Sequence, residues 1–259
     1  MLPLDKLISK NLRCSLTNKG NIKAKKLLRT KRKYKWFNCN SYPLSEIVDL
    51  NLVNEITYLK SGNGRSHTKS RLIENLTPDL CYLFGCMRDG SLINSKGMHW
   101  IRIYDALNSK WIESAIIGKF KKIFDVDFKI RMTQREKYCG LSNKPLFYQF
   151  KFLLNDIHRD VPEIIKKTNL VNIKNYIRGF FDAEGYVSKN KNVLMITQKN
   201  KDALNSLKFL LEKIIGINCG KINAHRLPIY GKNNVIKFYK EIGSFNPLKV
   251  QSLEKLSRG

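Results

Sequence analysis

Apolar residues recur along the chain with two periods, and past residue 75 they do so in an order that occurs twice. A helix-like apolar run, TPDLCYLFGCMRDG (77–90), ends in an acid and a glycine, and NIKNYIRGFFDAEG (172–185) repeats that ending 95 residues later. A strand candidate, WIRIYD (100–105), corresponds to VLMITQ (193–198). The amphipathic helix KWIESAIIGKFKKIFD (110–125) corresponds to DALNSLKFLLEKIIG (202–216), and VDFKIRM (126–132) to GKINAHR (220–226). Each half closes with a further strand and a helical segment, KPLFYQFKFLL (144–154) and NVIKFYKEIG (234–243). A collinear match of this extent predicts an internally duplicated α+β fold of two αββαββα repeats, 76–170 and 171–259.

Strand alternation predicts which side chains face outward. In VDFKIRM, Val126, Phe128, Ile130 and Met132 share one face, and Asp127, Lys129 and Arg131 the other. In WIRIYD, Ile101 and Ile103 oppose Trp100, Arg102 and Tyr104; in GKINAHR, Lys221, Asn223 and His225 share a face. One such strand is an ordinary solvated sheet face. Several together, bearing Arg, Lys, Asn and aromatic residues, predict a duplex-reading surface, because a β-ribbon fits the major groove.

Charge sharpens that reading. The 259 residues carry 48 Lys+Arg against 21 Asp+Glu, a net charge of +27. Solubility needs a net charge of only about 2–8 in a small domain, so the excess calls for a polyanion. Apolar residues at 42% exclude a disordered polybasic tail. Mean hydropathy is −0.35, no apolar run has the length of a membrane span, and the N-terminus lacks a secretory core, so the expectation is a non-membrane, non-secreted protein. Cytoplasm, nucleoid and organelle matrix all fit. The six cysteines form no CxxC pair and the four histidines no matching pair, which argues against zinc.

Within residues 19–35 lie nine basic residues and no acid, among them Lys25, Lys26 and Arg32. Residues 1–75 are therefore read as a basic region, a helix followed by an extended arm, that adds phosphate contacts. SGNGRSHTKS (61–70) reads as the linker that closes it.

The chemistry centres on Asp89-Gly90 and Glu184-Gly185. Glycine after a helix is ordinary capping, since it adopts the left-handed conformation cheaply. A carboxylate at the negative end of a helix dipole is not ordinary, and two at corresponding places call for a positive group between them. A divalent metal meets that need. Small residues at Cys81, Gly85 and Asp89, and at Asn175, Gly179 and Ala183, predict close packing of the two helices, which brings both carboxylates to one end. Paired acids holding Mg²⁺ beside a phosphate fit metal-assisted phosphodiester hydrolysis.

IRGFFDAEG (177–185) and LCYLFGCMRDGS (80–91), with VLMITQKN (193–200), resemble the LAGLIDADG homing endonucleases over roughly residues 76–259. The resemblance implies a monomeric, pseudo-twofold saddle that cuts a specific double-stranded DNA site with Mg²⁺ or Mn²⁺. It implies that Asp89 and Glu184 are catalytic metal-binding acids, with the backbones of Gly90 and Gly185 beside the metal, and that Gln198 and Lys199 tune water and charge. The first repeat has Asp105 and Ala106 near the latter place. Gly179 lies five residues before Glu184 whereas Gly85 lies four before Asp89, so the two helix ends cannot superpose if both are plain α-helix. The same scaffold also suits an intron RNA maturase or a non-cleaving nucleic-acid binder. A basic protein of membrane surfaces is a third reading.

Overall fold

The computed structural model of the chain describes residues 4–30, 41–62, 68–155, 159–188 and 192–258. Arg32 lies outside them, so the extended basic arm is not described. The N-terminal part is an α/β unit: α1 (Leu4–Ile8), β1 (Arg13–Leu16), α2 (Asn18–Thr30), β2 (Tyr42–Pro43), α3 (Leu44–Asp49), β3 (Ile56–Lys60) and β4 (Lys69–Arg71). Its antiparallel sheet runs β2-β1-β3-β4. The segment that reads as a linker is in fact part of a hairpin: Lys60 pairs with Lys69, and the Ser61 amide donates to the Thr68 carbonyl.

The first repeat follows as α4 (Pro78–Cys86), β5 (Gly90–Ser95), β6 (Met98–Asp105), α5 (Ile117–Phe124), β7 (Lys129–Met132), β8 (Lys137–Ser142) and α6 (Lys144–Leu154). Its sheet order is β5-β6-β8-β7, antiparallel throughout. After the short α7 (Glu163–Lys166), the second repeat runs α8 (Leu170–Glu184), β9 (Gly185–Val187), β10 (Val193–Thr197), α9 (Lys201–Phe209), β11 (Arg226–Tyr230) and α10 (Lys232–Glu241), with α11 (Pro247–Arg258) beyond it. Its sheet is β11-β10-β9. The order of elements is that of a duplicated α+β fold.

Three sequence expectations fail locally. GKINAHR is not a strand: Ala224 has φ 48°, and Asn223 and Arg226 bond to each other across a tight turn, so only a hairpin arm flanks β11. Lys221 and Asn223 are exposed on that arm rather than on a sheet. Ile130 and Met132 do not enter the core but remain 37% and 71% exposed, because β7 is an edge strand. The covering helix reaches only as far as Phe128, whose ring centroid lies 4.1 Å from that of Phe120.

The α4–α8 pair sets the geometry of everything else. Gly85 and Gly179 face each other: a Cβ on Gly85 would lie 2.1 Å from the Tyr176 carbonyl oxygen, and one on Gly179 2.1 Å from that of Tyr82. The contact stripe on α8 is therefore Tyr176, Gly179 and Phe180, not the expected Asn175, whose side chain turns back to Val171 and Arg178. Asn172 at the start of α8 donates to the Leu76 carbonyl just before α4, so the N-termini lie together and the C-terminal ends emerge side by side. A buried network ties the pair to its surroundings. Trp111 donates to the Tyr82 hydroxyl (2.6 Å), and Tyr82 donates to Asp182 (2.7 Å), which also accepts from Ser244 and the Phe245 amide.

The N-terminal unit docks on the first repeat through polar groups. Buried Gln149 of α6 accepts from the Ile73 amide and donates to Ser70 and the Arg71 carbonyl, while Tyr58 donates to Asp125.

Candidate active site at the paired helix ends

The missing residue in the first motif is offset by a change of winding. α4 stops at Cys86, and Met87–Asp89 continue as a 3₁₀ turn. A 3₁₀ turn rises about 2.0 Å per residue against about 1.5 Å in an α-helix, so four residues from Gly85 and five from Gly179 both climb about 7.5 Å. Tighter winding also carries Asp89 roughly 60° further round than α geometry would, leaving a skew of about 40°. Asp89 and Glu184 thus leave the pair at one level.

The glycines that follow serve space rather than handedness, contrary to the capping expectation. Gly90 and Gly185 have φ −97° and −85°. A Cβ on Gly185 would lie 2.2 Å from the Phe181 ring, and one on Gly90 2.9 Å from the Met87 methyl and the Arg102 carbonyl oxygen. Both open the strands β5 and β9, pairing with Ile103 and Ile196.

Asp89 senses the charge of Glu184. Asp89 opens on solvent at a cavity mouth, yet the protein around it pushes its pKa up to about 7, and the negative charge of Glu184 adds to that rise. Burial raises Glu184 as well, against the Thr197 hydroxyl, Arg88 and Lys249. Thr197 donates to the Glu184 carbonyl oxygen (3.0 Å) and approaches its carboxylate (3.4 Å).

Two cavities flank these ends. One of about 590 Å³ holds Asp89 with Tyr104, Asp105, Ala106, Glu136, Asp182, Ala183 and Lys249. The other, about 800 Å³, holds Glu184 with Arg88, Arg159, Gln198, Lys199 and His225. Gln198 is buried; its Oε1 accepts from the Lys199 amide, and its backbone amide donates to the His225 carbonyl. Arg88, 2% exposed, lies 4.6 Å from the Phe180 ring and donates to the Asp160 carbonyl.

Among the described residues no group of three His, Cys, Asp or Glu side chains is placed to hold a metal. Two repelling carboxylates at one level are still a hard-oxygen donor set. A hard cation there would complete its shell from water and a ligand's own oxygens.

Register gathers the outward residues of the first sheet on one face. Arg102 pairs with Ser91 and Gly140, Tyr104 with Tyr138, and Arg131 with Tyr138. The Arg102 guanidinium lies 5.2 Å from both the Trp100 and Tyr138 ring centroids, and Arg131 lies 5.6 Å from Trp100. Lys129 is exposed on the same face. The second sheet exposes Tyr186, Arg226 and Tyr230. Lys25 and Lys26 lie on α2, away from both cavities.

Sequence reading overlooked Asp182 and Lys249. Asp182 was visible as the first acid of FDAEG; Lys249 carried no signal, since α11 lies beyond the segments that recur in both repeats.

A helix pair joined at facing glycines, with an antiparallel sheet on each side and an acid at each helix end, is a LAGLIDADG-type fold, and residues 172–243 match the family model described as LAGLIDADG-like domain. Among particular proteins, the chain is similar to homing endonuclease I-ApeI of Aeropyrum pernix, 28% identical over 193 residues that span 68% of this chain and 86% of that protein. Its fold is similar to crystal structures of I-DmoI in complex with DNA and Ca (TM-score 0.55, 21% identity, 70% of this chain and 99% of that one) and with DNA and Mn (TM-score 0.53, 20% identity, 65% and 98%).

Proposed function

We propose that the chain is a site-specific double-stranded DNA endonuclease of the homing type, acting as a monomer whose two repeats, 76–170 and 171–259, each supply one acid. The observation that carries this reading is the pairing of Asp89 and Glu184 at one level, each raised in pKa and facing its own polar cavity. The similarity to I-ApeI supports the same reaction class.

Asp89 and Glu184 would hold Mg²⁺ or Mn²⁺, with the Gly90 and Gly185 backbones alongside. Such an ion supplies a hydroxide at neutral pH and neutralises charge on the scissile phosphate. Gln198 orients a water through its side-chain amide, and Lys199 sets the positive field beside Glu184. Arg102, Tyr104, Lys129 and Arg131 of the first sheet read or grip the duplex, as do Lys221 and Asn223 of the hairpin arm. Lys25 and Lys26 of α2 make the N-terminal unit an accessory phosphate-binding element; Arg32 extends it in sequence.

The test starts from a duplex selected out of a random-sequence library by the full chain with Ca²⁺. Wild type with Mg²⁺ cuts both strands of it, whereas Asp89→Asn and Glu184→Gln each lose cutting of at least one strand and keep binding. Binding of intron RNA with no nicking of any selected duplex refutes the endonuclease reading in favour of a maturase. Full cutting by the double variant refutes the site.

A further inference from the structure

The cavities at the two helix ends differ in charge. The Glu184 cavity carries Arg88, Arg159, Lys199 and His225. The Asp89 cavity is lined by Asp89, Asp105, Glu136 and Asp182, and Lys249 is the one basic side chain among its described lining residues. Among the described lining residues the first repeat contributes no cation, Asp105 and Ala106 standing where the second has Gln198 and Lys199; its Lys137, which pairs with Asp105, is committed to Glu113 and the Ser109 carbonyl. Left with four acids alone, this side would repel a phosphodiester at the distance where hydrolysis needs it.

Lys249 arrives from α11. Its ammonium donates to the Phe181 and Asp182 carbonyls, both at 2.7 Å, and lies 5.4 Å from the Phe181 ring centroid. Those carbonyls belong to the last turn of α8, so the charge is fixed at the negative end of the helix whose acid shares the site. Two of the three ammonium protons are committed there, and the third is left for the cavity.

From this arrangement we propose that Lys249 is the phosphate-positioning residue of the Asp89 half-site, supplying from α11, beyond the segments that recur in both repeats, the positive charge that Lys199 and Arg159 supply in the other half. The proposal rests on the endonuclease reading. It makes the two halves of one monomer unlike: one recruits its cation from its own repeat, the other from the C-terminal helix.

Lys249→Gln keeps an amide donor for the two carbonyls but removes the charge, which separates phosphate positioning from helix capping; Lys249→Met is the second variant, and thermal melts establish that each is folded. On the selected duplex with Mg²⁺, the proposal predicts that Lys249→Gln slows cutting of one strand about tenfold or more relative to the other, a loss typical of one removed charge stabiliser. Lys199→Gln slows the opposite strand. Binding with Ca²⁺ gives a second readout, in which Lys249→Gln lowers the slope of log affinity against log salt by about 0.9, one phosphate contact. Equal slowing of both strands, or an unchanged salt slope, overturns the proposal and leaves Lys249 as a cap on α8. Absence of cutting by wild type refutes the endonuclease reading instead.

Discussion

Replacing Asp89 by Asn should make the metal-free protein more stable while abolishing its chemistry. An aspartate in an unfolded chain titrates near 3.9, and in the fold Asp89 titrates at about 7, raised first by burial and then by Glu184. The sign is the reverse of a salt-bridged acid. Below about pH 3 both states are protonated and the shift is silent. As pH rises towards 7 the unfolded chain loses its proton while the folded chain keeps it, so folding is progressively disfavoured; above 7 the full cost applies. Three pKa units correspond to about 4 kcal/mol, and solvent at the cavity mouth screens this to roughly 1–2 kcal/mol. For a protein of this size that is a rise in melting temperature of about 2–8 °C for Asp89→Asn at pH 8. At pH 3 the two proteins should melt together. Scanning calorimetry in EDTA from pH 3 to 8 measures the difference. Equal melting temperatures across the range, or a variant that is less stable at pH 8, would refute the claim that burial and the Glu184 charge hold the Asp89 carboxyl up. Adding Mn²⁺ should narrow the gap, since only the wild type gains from it.

Other consequences concern packing and duplex binding. Gly85→Val should cost about 3 kcal/mol or more in urea unfolding, because its Cβ falls against the backbone of Tyr176 and Phe180 and the helices must part. Asp182→Ala removes the acceptor shared by the Tyr82 hydroxyl, the Ser244 hydroxyl and the Phe245 amide, and should cost about 3 kcal/mol in the same assay. Charge removal at Lys25 and Lys26 should lower the salt slope of duplex binding by about 0.9 for each phosphate no longer neutralised, and leave the ratio of strand-cutting rates unchanged.

Much of this was legible in the sequence because duplication writes each signal twice. The acid–glycine endings marked the candidate site, and period-two alternation put Arg102 beside Trp100 on one strand and Arg131 beside Lys129 on another, faces that the sheet register then joins. Periodicity misled wherever neighbours decide. Ile130 and Met132 alternate correctly yet lie on an edge that no helix covers, and GKINAHR turns at Ala224 instead of extending. The one-residue deficit in the first motif was visible, but a 3₁₀ turn absorbs most of it, and winding is not written in residue types. Lys249 could not be found from the repeats, since its role comes from where α11 returns to the end of α8.

The central claim is that Asp89 and Glu184 jointly hold divalent metal over a bound duplex. Anomalous diffraction from crystals of the chain with its selected duplex and Mn²⁺ tests it most directly. The account predicts manganese peaks touching carboxylate oxygens of both residues and a phosphate oxygen of the DNA. Peaks confined to Asp105, Glu136 or Asp182, or none at the ends of α4 and α8, would contradict it.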